Sequence, residues 1–317
     1  MSARPLRIGT RASALALWQA RHVEALLRAQ PGAPPVELVH IKTEGDIQNE
    51  IPLWQAGGRA FFTKEIDRAL LEGTVDLAVH SLKDLSTQVD AGLTLAATLT
   101  RADPRDAFLS ADGRRLEQLP PGARVGTSSL RRRAFLARSR PDLAHLELRG
   151  NVPTRVERLQ RGDYDAIILA AAGLARLELG AHVTQLLEPA LFPPAVSQGI
   201  IGLCARAGDA ATLRWLVPLD DREARLAATA ERALLRRLEG GCQVPLGALA
   251  RVTDRLLRLD ASVCSLDGRE SIAAQGTAPA SVEEAAALGQ RVAEDLLARG
   301  ADGLIAHARS APARAAP

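Results

Sequence analysis

Cys242 stands in the run Glu239-Gly240-Gly241-Cys242-Gln243-Val244-Pro245. Two glycines ahead of a thiol leave one side of the sulfur open and give the backbone access to positive-φ conformations. Such a segment presents a side chain to a cleft, where a thiol can tether a ligand covalently. Free cysteines otherwise behave as small buried hydrophobes. That is the reading for Cys204 and Cys264, which lie in apolar strand-like runs.

The ligand such a thiol would hold is indicated by arginines. In Gly126-Thr127-Ser128-Ser129-Leu130-Arg131-Arg132-Arg133 a strand ends, three hydroxyl residues turn, and a helix begins with arginines. A helix N-terminus offers free N–H groups and partial positive charge. Arginines add forked bonds to carboxylates. They sit badly against the helix dipole in a first turn, so an anion is expected to compensate them. Arg149-Gly150-Asn151-Val152-Pro153-Thr154-Arg155 repeats the pattern, and Arg176 and the pair Arg11 and Ser13 follow two further strands. In His80-Ser81-Leu82-Lys83-Asp84-Leu85, Lys83 and Asp84 line one loop after a strand. With no catalytic Ser/His/Asp set visible, Asp84 is the candidate for acid/base or charge-stabilising work. His80 and His145 read as structural.

The 317 residues suffice for two or three domains. Apolar residues are 47% and net charge is +3, values of an ordinary globular chain. All but three of the 40 basic residues are arginine, which makes the retained Lys83 conspicuous beside Lys42 and Lys64. Aromatics at 3% offer no stacking platform for nucleic acid. No membrane-length apolar run, signal-peptide core, nucleotide-binding glycine loop or metal-ligand spacing occurs, so no metal, nucleic acid or membrane partner is expected. Location in the cytoplasm is expected.

Periodicity predicts strands over 6–10, 36–41 and 75–79 and helices over 14–29 and 63–71, with Ser13 as a helix cap. Residues 46–58 read as a loop. After a break at 101–106 come strands over 124–127, 145–148 and 164–170 and helices over 129–138, 153–160 and 173–178. The run 200–205 reads as a strand returning to the first domain. A helix over 222–238, strands over 256–262 and 272–276 and a helix over 282–298 complete an α+β region, with a frayed tail beyond Ser310. This predicts α/β architecture: two doubly wound, mostly parallel domains with a ligand cleft at their carboxyl strand ends, plus a smaller α+β C-terminal domain. The boundaries are 1–100 with 198–218, 101–197, and 219–317.

These motifs, in this order, resemble the porphobilinogen deaminase family. The resemblance spans nearly the whole chain. It runs from Arg11 and Ala14-Leu15-Ala16-Leu17-Trp18-Gln19-Ala20, through the Lys83-Asp84, Arg131-Arg132 and Arg149-Gly150-Asn151 motifs and Tyr164-Asp165-Ala166-Ile167-Ile168-Leu169-Ala170, to Cys242. It implies periplasmic-binding-protein-like first and second domains and a dipyrromethane cofactor on Cys242 through a thioether. It implies that a monomer condenses four porphobilinogens onto that primer, losing ammonia each time, and releases hydroxymethylbilane. Asp84 and Lys83 would be catalytic. Ser13, Ser81, Lys83, Asp84, Thr127, Ser128, Ser129, Arg131, Arg132, Gly150, Asn151 and Arg155 would hold the cofactor. Arg11, Ser13, Gln19, Arg59, Phe62, Arg149, Arg155 and Arg176 would hold substrate. Three departures stand out: Arg59 replaces a common lysine, Ser86 a common proline, and Ser197 a common glycine.

Two other readings fit parts of the chain. A non-catalytic clamshell carboxylate-binding protein explains the arginines but not Cys242. A cysteine-nucleophile acyltransferase would need a histidine near the thiol, and none is apparent.

Overall fold

The computed structural model describes residues 4–43, 63–238 and 244–310. Cys242, Arg59, Phe62, the expected loop over 46–58 and the tail beyond Ser310 lie outside the described residues.

The chain divides into two compact units and passes between them after Ala102, after Gln198 and within a helix at Arg225. The first unit opens with β1 (Leu6–Thr10), α1 (Ala14–Arg28), β2 (Val36–His40), α2 (Lys64–Leu71), β3 (Leu77–Ser81) and β4 (Leu93–Thr98). The second unit takes β5 (Asp106–Ser110), β6 (Arg124–Gly126), α3 (Leu130–Ser139), β7 (Ala144–Leu146), α4 (Val152–Gln160), β8 (Ala166–Ala170), α5 (Ala171–Arg176) and β9 (Gln185–Leu186). The chain returns to the first unit as β10 (Ile201–Arg206) and α6 (Ala210–Leu216). Helix α7 (Arg222–Arg237) leads to β11 (Leu246–Thr253), β12 (Leu256–Cys264), β13 (Ser271–Pro279), α8 (Val282–Ala298) and α9 (Ala301–Ser310) in the second unit.

The first sheet has the order β2-β1-β3-β10-β4, and only β10 runs against its neighbours. Ser13 caps α1, its Oγ accepting from the Ala16 N–H at 3.4 Å. Ala20, Val23 and Leu27 recur at helical spacing and pack with Leu6, Ile8, Leu77, Val79 and Leu203 of the sheet.

The second sheet, β7-β6-β8-β5-β9, is likewise parallel apart from β5. Alternate side chains feed two cores. Phe108, Val125, Ala166 and Ile168 enter one; Ala107, Leu109, Ile167 and Leu169 enter the other. Strands β11, β12 and β13 form an antiparallel sheet whose core includes α7, α8 and α9 residues such as Leu234, Leu288 and Ile305.

Residues 226–238 and 244–310 cluster with 103–198 rather than as a separate unit. Close packing explains this. Cys264 of β12 lies in one core with Phe108 and Phe135, its Sγ 3.7 Å from the Ala134 carbonyl. A Cβ on Gly268 would stand 2.3 Å from the Arg138 backbone nitrogen, and one on Gly247 2.3 Å from the Pro193 carbonyl oxygen.

The segment ending at Gln198 is strained. Ser197 holds φ at 61° and is fully buried, and its Oγ has no hydrogen-bond partner among the described residues. Its N–H donates to Glu231 Oε2 at 2.6 Å, which fixes the conformation. Left-handed backbone costs a non-glycine residue about 1–2 kcal/mol, and glycine's extra unfolded-state freedom offsets part of that. Ser197→Gly should therefore stabilise the protein by about 1 kcal/mol, raising Tm by about 2–4 °C. A thermal melt showing no rise would contradict the strain.

Candidate functional site

In the first unit the site residues follow two adjacent parallel strands. Arg11 and Ser13 leave β1, and Ser81 ends β3, whose register with β1 pairs Gly9 with Ala78. Gln19 of α1 is buried and donates from Nε2 to Ser81 Oγ at 2.8 Å, so α1 fixes the end of β3. One 3-10 turn, Leu82–Asp84, comes next. Leu82 and Leu85 are buried, and the Leu82 N–H donates to the Ile200 carbonyl at 2.9 Å. A Cβ on Gly202 would come within 2.9 Å of the Leu82 side chain, so that glycine makes its socket. Lys83 and Asp84 are thereby held between two anchored leucines. Lys83 is half-buried and Asp84 exposed, and nothing among the described residues hydrogen-bonds the Asp84 carboxylate. The charge-stabilising role read from the sequence calls for a buried carboxylate, so Asp84 would need to be covered by ligand.

His80 is buried, and its Nε2 has no partner among the described residues. Burial, aided by the charge of Arg11, pulls its pKa down to about 4. It is neutral at physiological pH.

In the second unit the residues gather at the carboxyl edge of β6, β7 and β8. Thr127 is buried and its Oγ1 accepts from the Ser129 N–H at 3.3 Å. Ser128 donates its hydroxyl to the Leu148 carbonyl. Ser129 caps α3 by accepting from the Arg132 N–H at 3.4 Å. Asn151 caps α4, its Oδ1 accepting from the Thr154 N–H at 3.0 Å and hydroxyl at 2.9 Å. Gly150 takes φ of 106°, a turn that glycine favours, and its carbonyl accepts from Arg155 Nε at 2.7 Å. The expected ligand-binding hydroxyls and amide thus also build the turns that carry the arginines.

Arg131 and Arg132 are buried with their own counter-ion. Asp106, fully buried at the start of β5, pairs with Ala170 at the end of β8 and so reaches the same edge. Its Oδ2 accepts from Arg131 NH1 at 2.8 Å; its Oδ1 accepts from Arg132 Nε at 3.1 Å and NH2 at 2.8 Å. Burial would raise the Asp106 carboxyl, but the two guanidiniums hold it well below the carboxylate range. The anion expected against the α3 arginines is therefore supplied in part from within. One carboxylate against two guanidiniums still leaves a net positive charge. Arg131 NH1 also donates to the Pro193 carbonyl at 2.7 Å, and Arg132 NH1 to that of Ile168 at 3.0 Å. The Nε–NH2 edge of Arg131 has no hydrogen-bond partner among the described residues. That edge is the fork which binds a carboxylate bidentately.

Arg149, half-buried, has its pKa lowered by burial. Arg176, at the end of α5, is pulled down to about 10 by burial and remains cationic at neutral pH. Asp106 and Gln198 were not anticipated as part of this arrangement. Gln198 Nε2 donates to Asp106 Oδ1 at 2.9 Å and to the Pro104 carbonyl at 2.8 Å.

Fold and site together define an α/β protein with arginine-rich strand ends and an α+β C-terminal region. The chain belongs to the porphobilinogen deaminase family. The family described as porphobilinogen deaminase, dipyromethane cofactor binding domain, matches residues 6–214, and that described as porphobilinogen deaminase, C-terminal domain, matches 225–298. The chain is 49% identical to the porphobilinogen deaminase of Syntrophotalea carbinolica over 306 residues, 96% of each chain. It is 51% identical to that of Roseiflexus castenholzii over 302 residues, 95% of this chain and 98% of the relative. Among solved structures, the methionine-binding protein MetQ aligns with a TM-score of 0.44 at 14% identity, covering 68% of this chain and 89% of MetQ.

Proposed function

We propose that this chain joins four porphobilinogen molecules head to tail, with loss of ammonia at each addition, on a dipyrromethane primer held as a thioether by Cys242. The linear product is hydroxymethylbilane. The chain is a transferase of porphyrin and heme biosynthesis. We read it as a cytoplasmic monomer of three domains; the two family matches, which part between 214 and 225, support a boundary near 219. No helix among the described residues is long and apolar enough to cross a membrane.

One observation carries the reading: the buried Arg131–Asp106–Arg132 cluster is net positive and keeps the forked edge of Arg131 for a carboxylate. Every pyrrole of primer and product bears an acetate and a propionate, so the group this site would hold is a polycarboxylate. The burial that depresses Arg149 and Arg176 fits it too, because a desolvated guanidinium is stabilised by an ionic partner.

When bound, the dipyrromethane supplies a fixed pyrrole α-carbon for the first addition. Arg131 and Arg155, with Lys83 and the hydroxyls of Ser13, Ser81, Thr127, Ser128 and Ser129, orient primer carboxylates; Arg132, whose fork is held by Asp106, adds its positive charge to that site, and Gly150 and Asn151 shape that turn. Arg11, Gln19, Arg149 and Arg176 orient those of the incoming porphobilinogen, with Arg59 and Phe62 beside them. Loss of ammonia from porphobilinogen leaves a pyrrole-stabilised cation. The Asp84 carboxylate stabilises that charge once the substrate covers it and excludes water, and can pass a proton as the ring regains aromaticity. Lys83 tunes that carboxylate.

The test is the intact mass of protein purified from a porphobilinogen-making host, beside Cys242→Ser. An excess of two linked pyrrole units on the wild type, absent from the variant, is expected. An unmodified wild type that also fails to load with added porphobilinogen would leave the non-catalytic carboxylate-binding reading.

A further inference from the structure

We propose that Asp106 is a positioning residue for the anion site, a built-in carboxylate that determines which edge of the Arg131 guanidinium is left for a ligand. This rests on the functional reading above.

Asp106 is fully buried, and its oxygens accept from three side chains: Arg131, Arg132 and Gln198. Arg131 NH1 is occupied twice, by Asp106 Oδ2 at 2.8 Å and by the Pro193 carbonyl at 2.7 Å. A guanidinium is planar and rigid, so holding NH1 from two directions fixes the orientation of the Nε–NH2 fork. Arg132 is held differently. Its Nε and NH2 both go to Asp106 Oδ1, and its NH1 goes to the Ile168 carbonyl. Asp106 thus consumes the fork of Arg132 and preserves that of Arg131. The pair becomes one presented fork with one net positive charge, instead of two mutually repelling cations.

The carboxylate is itself held in place. Gln198 Nε2 bonds both Asp106 Oδ1 and the Pro104 carbonyl. Pro104 and Gln198 each lie within two residues of a point where the chain passes between units. Asp106 touches no reacting atom in this scheme. Its effect runs through Arg131, so primer binding should suffer more than the chemical step.

The experiment compares wild type, Asp106→Asn and Asp106→Glu, each purified from a porphobilinogen-making host. It reads the fraction carrying the two-pyrrole mass, then KM and kcat of the loaded fraction. Asp106→Glu keeps the charge but moves it by one methylene. The expected result is a loaded fraction reduced about tenfold or more, as one charge-assisted bond to the primer is misaligned, with Tm near that of wild type and with KM and kcat of the loaded fraction within about threefold of wild type. Asp106→Asn should be at least as impaired. Should it fail to fold, Asp106→Glu decides. Wild-type loading in Asp106→Glu would overturn the proposal, as would a fall in kcat of the loaded fraction well beyond threefold. Loss of the fold in Asp106→Glu would assign the residue to stability alone and overturn it too. An unloaded wild type would instead defeat the functional reading, so the two failures are distinguishable.

Discussion

Asp84→Asn should lower turnover by about a hundred- to ten-thousandfold, the range for removing a general acid–base or charge-stabilising group. It should leave the fold intact. The side chain is exposed, carries no hydrogen bond among the described residues, and rides on a turn anchored by Leu82 and Leu85. Exposed substitutions of this kind change stability by about 0.5 kcal/mol or less. Asparagine keeps the shape and loses the charge, so a surviving defect reports on charge. Ammonia release in a single turnover, measured beside a thermal melt, separates the two effects. Near-normal release would remove Asp84 from the proposed chemistry, and a large drop in Tm would make its role structural.

Arg176→Leu should impair function far more than stability. Burial depresses the Arg176 pKa to about 10, so the folded protein bears a cost for keeping that cation desolvated. Leucine removes that cost together with the contacts the guanidinium makes, so Tm should change by a few degrees at most. A substrate carboxylate would lose a charge-assisted bond, worth about 1.5–3 kcal/mol. The expected kcat/KM is therefore about ten- to a hundredfold lower. Unchanged kcat/KM would mean that Arg176 meets no substrate group. A fall in Tm of more than a few degrees would mean that the guanidinium stabilises the fold.

The parts of the fold that follow from local chemistry were legible in the sequence. Ser13 reads as a helix cap and caps α1; Ser129, which reads as the first residue of its helix, and Asn151, which reads as a turn residue, prove to be the caps of α3 and α4. The apolar run at 200–205 reads as a strand returning to the first domain, and β10 lies inside the first sheet. Strands opened or interrupted by polar residues or glycine are less legible: β5 opens on Asp106, and β11 contains Gly247 and Arg251. β4, β5, β9 and β11 were not anticipated as separate strands. β7 spans Ala144–Leu146 rather than 145–148, because its ladder partner β6 ends at Gly126, which pairs with Leu146. Asp106 is the least legible residue of the site. It sits in the polar stretch 101–106, which reads as a domain break, and its arginine partners are 25 and 26 residues away. The misplaced charge in the first turn of α3 indicated an anion. Which anion depended on β5 lying antiparallel to β8, and spacing alone does not reveal that pairing.

The position of β10 has a consequence for biosynthesis. It separates β3 from β4 yet lies about a hundred residues after them in the chain. Until the ribosome has delivered Arg206, the amino-terminal segment has two unsatisfied strand borders where the middle of its sheet should be. Open borders of this kind recruit other chains, and domains otherwise tend to fold in order of emergence. The nascent amino-terminal half is therefore the stage most exposed to aggregation and most dependent on chaperones, and polypeptides truncated before β10 should be cleared as insoluble or proteolysed material.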